Sequence, residues 1–177
     1  MVDLALQDRL QPALLDRLAD DEPDNKKLEP REKRIVTKTK LRQSVLRDLA
    51  WLLNATNLGN HVNFEGLSYA ESSVINYGMP VLSGHLVASL DFVQLENMIK
   101  RAIISFEPRI TPESLQVKVL ATDLQLNHHN QISIQISGDL WAQPIPIEML
   151  LKTEIDLETG QVEIHDLAAS SLSQVRR

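Results

Sequence analysis

The apolar period of this chain changes at one proline. From Asp91 to Ser105 the apolar residues recur at helical spacing, and from Leu115 to Ala121 they alternate. Between the two runs lies Ser105-Phe106-Glu107-Pro108-Arg109-Ile110. Proline lacks a backbone donor and pushes the residue before it out of the helical region. A helix that stops near Phe106 is therefore predicted, with a strand beginning beyond a stiff corner. Glu107 and Arg109 flank the proline and are expected to project from that corner. Arginine carries a permanent charge on a planar fork of donors, which suits carboxylates at an interface. Two readings follow from these six residues: a local salt bridge holding the corner, or a surface that a partner recognises.

The helical period also appears upstream. Leu41, Val45, Leu46, Leu49, Leu52 and Leu53 form one apolar stripe, with Thr37 or Thr39 as its N-cap. Arg47 and Asp48 fall off the stripe and are read as a solvated face; Trp51, beside it, is read as core edge. The later helix begins at Asp91, where Gln94 three residues on makes a capping box, and it buries Leu95, Met98, Ile99, Ala102, Ile103 and Phe106. Between the helices, residues 54–68 read as loop. Glu71 to Tyr77 fits either a short helix or a strand. Asn76-Tyr77-Gly78-Met79-Pro80 is a turn in which Gly78 permits positive φ.

Beyond the corner the period is two. Ile132, Ile134 and Ile136 alternate with Ser133, Gln135 and Ser137, after a turn at Asn127-His128-His129-Asn130. Gln143-Pro144-Ile145-Pro146 reads as a crossover. It leads to a last pair of strands, Leu151 to Leu157 and Gln161 to His165. Helices first and antiparallel strands after them define an α+β fold: two main helices, then a small sheet. A short N-terminal helix carries Leu14, Leu15 and Leu18 on one face, and Pro12 suits its first turn. So short a helix is marginal alone, and its leucines must dock on the chain's own body or on a partner. The predicted organisation is an acidic arm and basic linker over 1–35, a domain over 36–167 and a tail over 168–177.

Charge is unevenly placed. Residues 1–25 hold seven acids and two bases, residues 26–42 two acids and eight bases, and residues 43–177 fifteen acids and eight bases. The basic collar has no interleaved aromatics and sits in an acidic chain, so nucleic acid is not the expected partner. A linker or a docking site for an acidic protein surface is. The chain lacks cysteine, which excludes thiolate chemistry and fits a reducing compartment. Neither a leader at Met1-Val2-Asp3-Leu4 nor an apolar run long enough to span a membrane is visible, so a soluble cytoplasmic protein is expected, without membrane insertion.

Motifs for chemistry are wanting. Gly-rich phosphate loops, HExxH and GxSxG elbows cannot be written here, and neither cofactor nor metal is expected. The adjacent His128 and His129 point to opposite faces if extended. Glycoside hydrolysis needs two carboxylates facing a cleft, and no local pattern nominates a partner for Glu107.

Four segments carry a resemblance. Leu14-Leu15-Asp16-Arg17-Leu18; Ser44-Val45-Leu46-Arg47-Asp48-Leu49 with Trp51-Leu52-Leu53-Asn54; Ser73-Val74-Ile75-Asn76-Tyr77-Gly78; and Ile103 to Ile110 with its Phe-Glu-Pro-Arg core occur in that order. Together they resemble the TssE family, the small baseplate subunits of the type VI secretion system. That family is related to a wedge protein of contractile phage tails once labelled "lysozyme-like". The resemblance spans about Leu10 to Ile164. It implies a structural subunit in the cytoplasm that contacts the wedge subunits TssF and TssG and helps to start the contractile sheath. Glu107, Pro108 and Arg109 match the family's Glu-Pro-Arg signature, which is associated with docking on the wedge core. Leu14, Leu15 and Leu18 would be a further docking arm, and the C-terminal strands would offer the sheath an edge. The alternative, a peptidoglycan hydrolase, has the acid count and the old label behind it, but no acid and nucleophile pair, so enzymatic activity is not carried over.

Overall fold

The computed structural model of the chain describes residues 13–18, 37–84, 86–120, 130–142 and 145–167. The turn at 127–129, Pro144, most of the basic collar and the tail from 168 lie outside them. The first described element is α1 (Leu14–Leu18), followed by α2 (Lys38–Asn54). Thr37 caps α2, its hydroxyl accepting from the Lys40 N–H at 3.2 Å. The predicted stripe is its buried face, with Leu46 half-buried and Ser44 joining the buried set. A short helix α3 (Ser68–Glu71) and three single 3-10 turns lie between α2 and α4 (Phe92–Phe106). Glu71 to Tyr77 is thus helical turn, not strand. Asp91 caps α4 by accepting from the Gln94 N–H at 3.1 Å. The helix ends where the proline demands: Glu107 takes φ −125° and ψ 76°, and its N–H makes the last bond, to the Ile103 carbonyl.

Strands β1 (Gln116–Val119), β2 (Gln131–Leu140), β3 (Ile147–Asp156) and β4 (Val162–Asp166) form one antiparallel sheet in that order. The fold is α+β. Leu140 pairs with Ile147, so β2 and β3 are adjacent antiparallel strands and not strands related by a crossover. Strand β2 also extends beyond the alternating run of Ile132 to Ser137, through Gly138 to Leu140. A Cβ there would lie 3.3 Å from Ile110 Cγ2 and 3.4 Å from Leu115 Cα, so the bare glycine lets the corner segment cross the sheet. Ile132, Ile134, Ile136 and Leu140 face inward, against Met149, Leu151 and Ile155 across the ladder. Helices α2 and α4 touch each other; α2 also touches β4, and α4 touches β1. The core is this helix layer on one sheet face, with Leu49, Leu52, Leu95, Ile99 and Ile103 fully buried. Each such side chain contributes about 1.5–3 kcal/mol by leaving water.

Both sheet edges are blunted by helix side chains. On β1, the Val119 N–H donates to Glu96 Oε1 of α4 at 2.8 Å. On β4, the Asn54 amide imitates a strand: its oxygen accepts the Val162 N–H and its nitrogen donates to the Val162 carbonyl, both at 2.9 Å. Occupying an edge in this way opposes unwanted pairing. A strand added there must displace Asn54. Arg42 also holds α2 to β4 through a two-bonded pair with Asp166, at 2.5 and 2.7 Å. The last base of the collar is therefore an ion-paired brace. Asn54→Ala removes both edge bonds and is expected to cost about 1–2 kcal/mol. The check is a lower urea midpoint at unchanged slope. Among the described residues no helix is long and apolar enough to cross a membrane.

Candidate functional site

At the corner, Pro108 is exposed while Glu107 is 3% exposed. Both charges turn inward instead of projecting. The cause is a turn with the proline at its second position: the Ile110 N–H donates to the Glu107 carbonyl at 3.2 Å and bends the chain back on itself. Arg109 consequently folds back over Glu107. Its Nε donates to Glu107 Oε1 at 2.6 Å and its Nη2 to Glu107 Oε2 at 2.5 Å. The Arg109 backbone N–H adds a bond to Oε1 at 3.2 Å. The charges are then tied to α2: Nη2 also donates to Asp48 Oδ2 at 2.5 Å and Nη1 to Ser44 Oγ at 3.1 Å. Ser44 in turn donates to the Leu41 carbonyl at 2.9 Å. Four of the five guanidinium N–H groups are used in this way, and one on Nη1 is left.

The network continues outward. Asp48 gives its other oxygen to Arg47 Nε at 2.9 Å, and Arg47 Nη1 donates to Asp16 Oδ1 of α1 at 2.6 Å. The side chains Asp16, Arg47, Asp48, Arg109 and Glu107 thus alternate in sign from the arm to the corner. Burial disfavours the Arg109 charge, but the bonds to Glu107 and then Asp48 outweigh it and raise its pKa. Arg47 is also raised, mainly by its bond to Asp16. Tyr77 packs edge-on against Phe106, with centroids 5.2 Å apart. Burial, then Asp48 and Glu107, push its phenol above the ordinary range. The Trp141 N–H donates to the Arg109 carbonyl at 2.8 Å, which sets a 59% exposed indole beside the corner.

Sequence reasoning placed Glu107, Pro108 and Arg109 together, and they are together. It missed Ser44 and Asp48. The available signal was their spacing of four on α2, a polar pair at the rim of the apolar stripe. Trp51 is 52% exposed, with the Arg47 guanidinium 5.1 Å above its ring, and is not core edge. On the arm, Leu14, Leu15 and Leu18 are all exposed. The described body does not cover the leucine face; the Asp16–Arg47 pair ties the arm to it. At these exposures that pair contributes about 1 kcal/mol or less.

A family model described as "Baseplate wedge protein gp25" matches residues 39–145. The chain belongs to this family. Its role is accordingly that of a baseplate component of the phage-tail type, assembled with other baseplate components. The match takes in α2, α4, the corner and β2, and with them every member of the charge network except Asp16. No curated protein and no solved structure matches the chain. Glu107 has both oxygens bound by one guanidinium, leaving little to offer a glycosidic oxygen.

Proposed function

We propose that this chain is a structural subunit of a type VI secretion baseplate, without enzymatic activity. It docks on the wedge subunits TssF and TssG in the cytoplasm and helps to start the contractile sheath. The observation that carries this reading is the braced corner. Arg109, bonded to Asp48 and Ser44, fixes the Glu107-Pro108-Arg109 turn against α2, and a rigid, pre-set surface binds at lower entropic cost than a mobile one. Pro108 is exposed on that surface with Trp141 next to it, and exposed tryptophan is a common interface anchor. The spare Nη1 N–H of Arg109 is available to a partner acceptor. Leu14, Leu15 and Leu18 form the second contact, an apolar arm that lacks cover from the described body. Sheath segments add to the sheet at β4, displacing the Asn54 amide.

Co-purification with TssF and TssG tests the arm. Changing Leu14, Leu15 and Leu18 to serine leaves the fold intact, because those side chains are exposed, and is expected to weaken recovery at least about tenfold. Full recovery of the complex would remove the arm from the interface. Failure of the unaltered chain to co-purify with either wedge subunit would remove the type VI assignment itself.

A further inference from the structure

The stretch between α2 and α4 carries a feature that the corner does not explain. From Leu49 to Ile99 there is no Lys or Arg, while Glu65, Glu71, Asp91 and Glu96 are present. Asp91 is spent as the cap of α4, and Glu96 on the edge of β1. Glu65 and Glu71 both line an open cleft of about 890 Å³, together with His61, Asn63, Phe64 and Ser68. Neither glutamate makes an ion pair among the described residues. Beside the cleft, α3 and the following 3-10 turn (Val74–Asn76) expose large apolar side chains. Tyr69 is 92% exposed, Val74 79%, Ile75 64% and Leu67 56%. One exposed leucine would mean nothing, but four such residues within nine positions mark an interaction surface.

This knob is built to keep its shape. Ser73 Oγ donates to the Ala70 carbonyl at 2.8 Å, and the Asn76 amide donates to the Glu71 carbonyl at 2.9 Å. The Asn76 oxygen accepts the Gly59 N–H at 2.9 Å, which ties the knob to the wall of the cleft. Tyr77 follows directly and packs edge-on against Phe106, which anchors the knob to the end of α4. Ser73 to Gly78 is also one of the segments that carries the resemblance, yet Val74 and Ile75 contribute nothing to the core.

We infer that this knob and cleft dock a basic amphipathic segment of a partner protein, its apolar side chains on Tyr69, Val74 and Ile75 and a Lys or Arg in the cleft between Glu65 and Glu71. Charge complementarity selects that occupant. A second copy apposed through the same patch would bring its glutamates against these and would be repelled. The inference goes beyond the baseplate reading and does not require the corner to be an interface.

Fluorescence anisotropy of a labelled, roughly 14-residue Leu/Lys amphipathic helix against the full chain tests it, with the Leu/Glu peptide of the same pattern as control. The Leu/Lys peptide should bind and the Leu/Glu peptide should not. Tyr69→Ser with Ile75→Ser, and separately Glu71→Lys, should each weaken binding at least about tenfold. Glu163→Lys, on the exposed part of β4, should change it less than about twofold. Three results overturn the inference: no binding of the Leu/Lys peptide, unchanged binding in the Tyr69/Ile75 variant, or an equal loss in Glu163→Lys, which would reveal general charge attraction. Oligomerisation that is lost in the Tyr69/Ile75 variant overturns it as well, by assigning the patch to a second copy. The assay holds only this chain and a peptide, so its outcome is independent of the type VI assignment.

Discussion

Arg109→Ala destabilises the folded chain by about 3–5 kcal/mol, because it strands a buried charge. Glu107 is 3% exposed and receives both its side-chain bonds and a backbone bond from Arg109 alone. With the guanidinium gone, the carboxylate keeps the backbone N–H of residue 109 but has no second cation. Asp48 suffers less, since Arg47 still holds its other oxygen. Arg109 keeps 23% of its side-chain surface, and water admitted along that path places the loss toward the lower end of the range. Urea denaturation followed by circular dichroism reads the change as a fall in midpoint at unchanged slope. The companion variant separates charge burial from packing. Glu107→Met with Arg109→Met removes both charges at similar volume, and replacement of a buried pair by apolar residues is often neutral or stabilising. The double variant should thus be more stable than Arg109→Ala by about 2 kcal/mol or more. Equal stability would mean that the pair contributes through shape alone.

Gly78→Ala should be nearly as damaging, at about 2–4 kcal/mol, and by an unrelated route. Gly78 has φ +117°, where a side chain is strained in any surroundings. A Cβ at this position would also lie 2.4 Å from the Ala55 carbonyl oxygen and 2.7 Å from its carbon. These are backbone atoms at the end of α2, and they cannot rotate away. The same Ala55 oxygen accepts the Met79 N–H at 2.7 Å, and the Asn57 N–H returns to the Met79 carbonyl. Any shift that relieves the clash breaks this two-bond seam and lifts Met79 from the core. Thermal unfolding is the check. A variant melting within about 2 °C of the unaltered chain would refute the argument, since a loss of 1 kcal/mol moves a chain of this size by about that much.

The parts legible in the sequence are those that local physics dictates. Helices α2 and α4 are set by apolar stripes, Thr37 and Asp91 cap them, and Pro108 ends the second. Gly78 stands at positive φ in the turn its neighbours predict. The illegible parts depend on distant partners. Asp48 looks solvated until Arg109, 61 residues away, is folded onto it. Glu107 looks outward-facing until the turn at the proline brings Arg109 back over it. The alternating run of β2 ends at Ser137 because Gly138 and Asp139 break it. The reason for the glycine, the crossing of Ile110 and Leu115, lies elsewhere in the chain. Short α3 and the turn after it have no apolar period, because Ser73 and Asn76 hold them through backbone bonds. For the same reason the exposed apolar knob they carry was not visible as a surface.

Pro108 ends a helix, and by doing so it lays Arg109 over Glu107. The pair then locks onto α2 through Ser44 and Asp48, and the ladder of charges extends to the arm. This charged, braced corner is the surface that we propose a wedge partner reads. The most direct measurement is the affinity of the folded Glu107→Met, Arg109→Met chain for co-expressed TssF and TssG, beside that of the unaltered chain. The expected result is a native-like circular dichroism spectrum and affinity weaker by at least about tenfold, since the guanidinium is gone. A folded double variant that binds both subunits with full affinity would contradict it.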